Sequence, residues 1–325
     1  MGEAIRAEGL VKRFKNTTAL DGVDLVARTG AVLGLLGPNG SGKTTTVRIL
    51  STLLRLDGGH ATVGGYDVVQ RPHDVRRLIG LTGQYAAVDE NLTGTANLVL
   101  IGRLLGYSRR GAKARAAELL DRFGLSDAAD RPAKTYSGGM RRRLDLATSL
   151  VGRPSLLYLD EPTTGLDPHS RNELWNVVRG LVDDGVTVLL TTQYLEEADQ
   201  LADDIAVIDR GRVIANGTPE ELKVRAGTQV LHVSPVTADH LSMVAKIVET
   251  VTGADAHVSE SAVSAAVADP SVLPEVVRRV DDAGIAVAEL TLRRPSLDEV
   301  FLALTGHTAE ATSADPTSPL ERTHA

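Results

Sequence analysis

At 325 residues the chain is long enough to bury a full core and to carry one large domain with a smaller companion. Hydrophobic residues make up 42% and charged residues 24%, which excludes a disordered or fibrous chain. The net charge of −7 gives no global electrostatic reason for a nucleic-acid partner, and the absence of cysteine excludes disulfides and thiolate metal sites.

The opening MGEAIRAEGL lacks the basic and then long apolar run of a secretory signal and reads as mature protein. No run of roughly 18 apolar residues follows; Leu98 to Leu105 is short and is broken by Gly102 and Arg103. Any membrane role is expected to come through a partner.

In chain order, Ile5 to Phe14 and Ala19 to Ala27 alternate apolar residues with turn signals at Asp21-Gly22 and Thr29-Gly30, predicting strands joined by tight turns. Ala31 to Leu36 is an apolar run ending in a glycine-rich loop. Thr44 to Leu54 then carries Val47, Leu50 and Leu54 on one helical face. From about Asn91 to Leu150 the sequence turns helical, with Ala116, Leu119, Leu120 and Phe123 as one buried stripe. Ser155–Leu159, Val186–Thr191 and Ile205–Asp209 read as strands, alternating with helices at Ser170–Val182 and Leu195–Ala202. That order predicts a parallel α/β sheet covered on both faces.

Arg212 to Asn216 adds a strand, and Thr218-Pro219-Glu220-Glu221 opens a short helix with a capping box. A boundary is expected at 226/227. Beyond it the pattern reads strand 229–233, helix 238–251, strands 255–259 and 262–268, helix 271–283 (Leu273, Val276, Val277, Val280) and strand 285–292, a split-βαβ order. Ser296-Leu297-Asp298-Glu299 is a further capping box, opening a helix with Leu297, Val300, Phe301 and Leu304 on its buried side and Gly306 at its end. The tail 307–325, rich in Thr, Ser, Ala and Pro, is expected to be disordered.

Three motifs carry chemistry. Gly37-Pro38-Asn39-Gly40-Ser41-Gly42-Lys43-Thr44 fits the phosphate-loop pattern between a strand and a helix. Backbone N–H groups of Gly40, Ser41, Gly42 and Lys43 can converge on a β-phosphate, Lys43 bridges β- and γ-phosphates, and the Thr44 hydroxyl takes Mg²⁺. Leu156 to Glu161 is an apolar strand ending in two carboxylates, one suited to a metal (Asp160) and one to polarising water (Glu161). Tyr136-Ser137-Gly138-Gly139-Met140 is a second glycine-rich helix start able to meet phosphate. The Arg141-Arg142-Arg143 run reads as a solvated helix face, and His60, His73 and His169 as surface or loop residues without metal spacing.

The ordered set Phe14, GPNGSGKTT (Gly37 to Thr45), Gln84, YSGGM, LLYLDEP, Gly165-Leu166-Asp167 and Gln193 resembles the ATPase subunits of ABC transporters over residues 3 to 225. The resemblance implies a phosphate-loop NTPase cassette over residues 1–226: a RecA-like core, an antiparallel β subdomain and a helical subdomain at about 88–152. A small ferredoxin-like α+β domain would follow at 227–306. It implies ATP and Mg²⁺ as ligands and a head-to-tail homodimer in which Ser137, Gly138 and Gly139 of one copy complete the other's site. It also implies adenine stacked on Phe14, Gln84 at Mg²⁺, Asp167 coupling the sites, and a separate membrane permease, which puts the chain at the cytoplasmic face of the membrane.

Three departures stand out: YSGGM for the usual LSGGQ, Phe14 for the commoner Tyr, and Gln193 where the family usually has histidine. Glutamine can donate to a γ-phosphate but cannot carry a proton near neutral pH, so Gln193 is expected to position and Glu161 to act as base. TTQYLEEADQLAD and SLDEVFLALTG resemble the daunorubicin/doxorubicin-resistance branch, which implies drug or antibiotic export. A non-transport ABC ATPase of the translation or repair type, or an ATP-gated drug-sensing module, are the alternatives; one cassette without a heptad run disfavours the first.

Overall fold

The computed structural model describes residues 2–15, 17–83, 88–225, 229–267, 269–293, 296–297 and 299–301. These fall into two compact units that divide between Pro219 and Glu220. The boundary expected at 226/227 falls outside the described residues, as do Gln84, Leu304, Gly306 and the 307–325 tail.

The first unit opens with β1 (Glu3–Phe14) and β2 (Thr17–Arg28), antiparallel partners. Asp21-Gly22, expected as a turn, lies inside β2. There Gly22, at φ 79°, is the extra residue of a bulge between the Leu10–Val23 and Val11–Asp21 pairs. The short β4 (Gly58–Val63) and β5 (Tyr66–Asp67) complete this sheet in the order β2-β1-β4-β5.

The central sheet has six strands in the order β10-β9-β3-β8-β7-β6. They are β3 (Val32–Leu36), β6 (Ile79–Thr82), β7 (Leu156–Asp160), β8 (Thr187–Thr192), β9 (Asp204–Asp209) and β10 (Arg212–Gly217). All but β10 run parallel, and every residue of β3, β7 and β8 is buried, as strands covered on both faces require. Because β3, β8 and β7 are neighbours in register, with Leu36 beside Thr192 and Asp160 beside Thr191, their carboxyl ends open on one edge. In doubly wound sheets that edge is where ligands bind.

The helices are α1 (Lys43–Leu50), α2 (Pro72–Leu78), α3 (Gly94–Leu104), α4 (Arg109–Arg122), α5 (Gly138–Ser149), α6 (Pro168–Asp183) and α7 (Leu195–Leu201). α1 stops four residues short of the expected end; Leu54 packs on the core after a turn through Thr52, at φ 62°. Side-chain caps fix the starts of α3 (Thr93), α4 (Ser108), α5 (Ser137) and α6 (Asp167). The α4 stripe of Ala116, Leu119, Leu120 and Phe123 is buried as its spacing demands.

The second unit holds α8 (Pro219–Arg225) from Glu220 on, β11 (Gln229–Pro235), α9 (Leu241–Thr252), β12 (Ala256–Val258), β13 (Val263–Val267), α10 (Leu273–Asp282) and β14 (Val287–Arg293). Its sheet runs β12-β13-β11-β14, wholly antiparallel, the interleaved order of a split βαβ unit. Leu231, Val233, Val244, Val248, Val263, Val276 and Val280 form its core. Val277 differs from expectation: 48% exposed, it sits on the outer side of α10. Ser296 and Glu299 cap each other reciprocally, Ser296 N to Glu299 Oε2 at 2.7 Å and Glu299 N to Ser296 Oγ at 3.3 Å, and Leu297, Val300 and Phe301 are buried.

Candidate nucleotide site

The loop between β3 and α1 is glycine-rich for steric reasons. A Cβ on Gly37 would lie 2.2 Å from Ile208 O, and one on Gly42, at φ 115°, 2.7 Å from Leu20 Cδ2. Gly40, at φ 79°, faces open space. The loop thus packs against β9 and β2 on one side and stays open on the other. Ser41 Oγ is buried within it without a hydrogen-bond partner among the described residues. Lys43 is 4% exposed; its Nζ donates to Gly37 O at 2.6 Å and Pro38 O at 3.0 Å and stands 3.6 Å from Glu161 Oε1. Burial pushes the lysine pKa down, and Glu161 and Asp160 oppose that push.

At the end of β7, Asp160 Oδ1 accepts from Thr191 Oγ1 at 2.5 Å and from Thr44 Oγ1 at 3.3 Å. Glu161 follows in the left-handed region at φ 49°, a conformation that costs a non-glycine residue about 1 kcal/mol. Its amide donates to Thr191 O at 3.0 Å and contacts Thr191 Oγ1 at 3.2 Å, so β8 holds the strained residue in place. Gln193 follows Thr192 directly, half-buried, at the end of β8. Phe14 lies at the end of β1, 45% exposed, with Lys12 Nζ 5.4 Å from its ring centroid.

Direct contacts therefore join Lys43, Thr44, Asp160, Glu161 and Thr191 into one group. The Ser137–Gly139 turn belongs to another. Ser137 Oγ accepts from Met140 N at 3.2 Å, and a Cβ on Gly139 would meet Ser170 Oγ at 2.5 Å. Ser170 is in turn gripped by Asp167, whose oxygens accept from Ser170 N at 3.0 Å and Ser170 Oγ at 2.7 Å; these bonds hold the carboxyl below the usual range. The turn and Asp167 are thus contiguous. Tyr136, buried before the turn, donates its hydroxyl to Ala128 O at 2.6 Å. Gly139→Ala is expected to displace Ser170 and lower ATP turnover about tenfold or more, while binding at the Lys43 loop stays within twofold or so of wild type. Phosphate release and nucleotide titration check the two halves.

Pattern reading missed three residues that support the site. Thr191 orients Asp160 and Glu161, and only its place before Gln193 hinted at that. Arg142, expected on a solvated face, is 12% exposed and bonded to main chain around Glu161. Glu197 is fully buried below the Gln193 segment, accepting from Trp175 Nε1 at 3.2 Å; burial pushes its carboxyl up, against Thr192, Trp175 and Thr163.

The donor set fits a magnesium nucleotide. Ser41 Oγ is an unspent donor in the loop, and Thr44 Oγ1 with one Asp160 oxygen pairs a hydroxyl with a carboxylate. Mg²⁺ takes one or two carboxylates and completes its shell with phosphates and water, so it needs no larger acidic cluster. Among the described residues no group of three or more His, Cys, Asp or Glu could hold a metal by itself, and no helix is long and apolar enough to cross a membrane.

A phosphate loop feeding a parallel sheet, two carboxylates at the next strand but one and a separate serine-glycine helix start define a nucleotide-hydrolysing cassette. Residues 20–164 match the family model for ABC transporters, and residues 217–305 match that for the C-terminal domain of DrrA1-3-like ATP-binding proteins. The daunorubicin/doxorubicin resistance ATP-binding protein DrrA of Streptomyces peucetius is 54% identical over 98% of this chain and 97% of its own length. The linearmycin resistance ATP-binding protein LnrL of Bacillus subtilis is 35% identical over 94% and 99%. Among solved structures, the ADP conformation of MJ1267, an ATP-binding cassette of an ABC transporter, superposes with a TM-score of 0.62 at 29% identity, covering 68% of this chain and 93% of that one. The chain belongs to the ATP-binding subunits of ABC transporters, in the DrrA branch. It is an ATPase cassette.

Proposed function

We propose that the chain powers efflux of a drug or antibiotic through a permease on a separate chain, working as a head-to-tail homodimer at the cytoplasmic face of the membrane. The observation that carries this reading is the contact group Lys43–Glu161–Asp160–Thr44, set in a chain matched nearly end to end by drug-resistance ATP-binding proteins. In the closed dimer Ser137, Gly138 and Gly139 of one copy face the triphosphate gripped by Gly37 to Thr45 of its mate. Phe14 stacks on the adenine, and Asp167 communicates between the sites. Thr44 and Asp160, with Gln84, would hold Mg²⁺, which would neutralise phosphate charge.

Glu161 accepts a proton from the attacking water, and Gln193 donates its amide to the γ-phosphate. The nucleotide-binding part runs to residue 226, and 227–306 is an accessory domain. Cells that express the chain with its cognate permease should retain less daunorubicin, the drug for which its relatives are named, than cells with the permease alone. Gln193→Ala should cut that efflux by about tenfold or more through loss of one charge-assisted hydrogen bond. Drug retention unchanged by adding the chain would reject the exporter reading.

A further inference from the structure

Arg142 sits on α5, five positions past Ser137, and its guanidinium points inward. Nε donates to Pro162 O at 2.7 Å and Nη1 to Gly83 O at 2.9 Å and Asp145 Oδ2 at 3.2 Å. Nη2 reaches Asp160 O and Glu161 O, each at 3.4 Å. All five N–H donors of the side chain are engaged, and the two short bonds go to carbonyls that bracket functional positions. Pro162 follows Glu161, and Gly83 precedes Gln84. Its ionic partner Asp145, one turn along the same helix, is 1% exposed. Neighbouring Arg141 pairs with Glu90 at the surface, and Arg143 bonds Phe123 O, so neither duplicates the role.

We propose that Arg142 is a positioning residue that couples the two ATP sites of the dimer by locking the helix bearing Ser137 and Gly139 to the main chain that carries Glu161. The inference rests on the head-to-tail reading above. In that arrangement α5 of one copy meets the mate's nucleotide, while Glu161 of the same copy serves its own. A planar fork spanning Pro162 and Gly83 makes the placement of α5 and the placement of the base one variable. Nucleotide bound in the mate's site is then felt at this copy's carboxylate, and the coupling is reciprocal. A lysine could keep the charge opposite Asp145 but not bridge the two carbonyls.

The test uses the full-length chain in three forms: wild type, Arg142→Lys, and the double variant Arg142→Gln/Asp145→Asn, which removes the buried ion pair as a unit. ADP affinity, melting temperature and the ATP dependence of hydrolysis are measured for each. Wild type is expected to hydrolyse ATP with a Hill coefficient of about 2; both variants should fall toward about 1 and lose roughly tenfold in kcat. ADP affinity and melting temperature should stay near wild type in Arg142→Lys. Wild-type cooperativity in both variants overturns the proposal, as does a loss of ADP affinity in step with kcat, which would mark Arg142 as holding only the fold. Light scattering on Glu161→Gln with ATP separates the two readings. Failure of that chain to dimerise defeats the head-to-tail dimer itself. Dimerisation alongside a wild-type Hill coefficient of about 1 defeats the Arg142 inference alone.

Discussion

Glu161→Gln should lower ATP turnover about a thousandfold while leaving the chain able to bind ATP, the scale expected when a general base is removed. The substitution is close to isosteric, so the amide bonds to Thr191 that hold the left-handed backbone survive. What disappears is the capacity to take a proton, which a glutamine side chain lacks. Binding should persist because the phosphate-loop groups, Ser41 and Lys43 among them, are untouched. Phosphate release in single turnover measures the first effect, and nucleotide retention on gel filtration the second. Near-normal turnover in Glu161→Gln, together with abolition by Gln193→Ala, would move the base assignment off Glu161.

Lys43→Ala should weaken ATP affinity by about a hundredfold or more, because hydrogen bonds to charged groups contribute roughly 1.5–3 kcal/mol each and the ammonium is placed to make more than one. The fold should tolerate the loss. Burial lowers the lysine pKa relative to the unfolded chain, so the charged form weakens the fold at neutral pH, a cost that fades as pH rises through the folded value. Removing the ammonium relieves that cost and leaves Glu161 without its cation, two effects of opposite sign. The melting temperature should therefore shift by roughly 5 °C or less. Calorimetric titration with ATP and a thermal scan of the same sample check both statements. Undiminished affinity would dissolve the assignment of the phosphate loop.

Much of this architecture is legible in the chain because its signals are local. The fully buried strands β3, β7 and β8 announce themselves as short apolar runs, and the phosphate loop is a contiguous pattern with a geometric reason at Gly37 and Gly42. The split-βαβ order of the second unit follows from alternation alone. What stays hidden depends on partners distant in sequence. β4 is a glycine-led, partly exposed strand whose pairing with β1 spans more than forty residues, and no pattern in Gly58–Val63 reports it. Arg142 looks like any member of a basic run; its burial is dictated by the carbonyls of Gly83 and Pro162, which only the folded chain delivers. Val277 faces out, which its spacing does not report: Val276, Val277 and Val280 form an i, i+1, i+4 cluster that by itself leaves open which member turns to solvent.

The tyrosine that opens the YSGGM turn has an architectural companion. With the Tyr136 hydroxyl seated on Ala128 O, a Cβ at position 94 would lie 2.5 Å from the tyrosine Oη, so α3 begins with glycine. Positions 94 and 136 are thus sterically coupled. Grafting a leucine-headed turn from another cassette would remove one of the two hydrogen bonds that Ala128 O accepts, leaving only that from Arg131 N at 3.0 Å, and would leave a hole beside Gly94, whereas grafting this turn elsewhere would require a bare backbone at the equivalent place on the receiving scaffold.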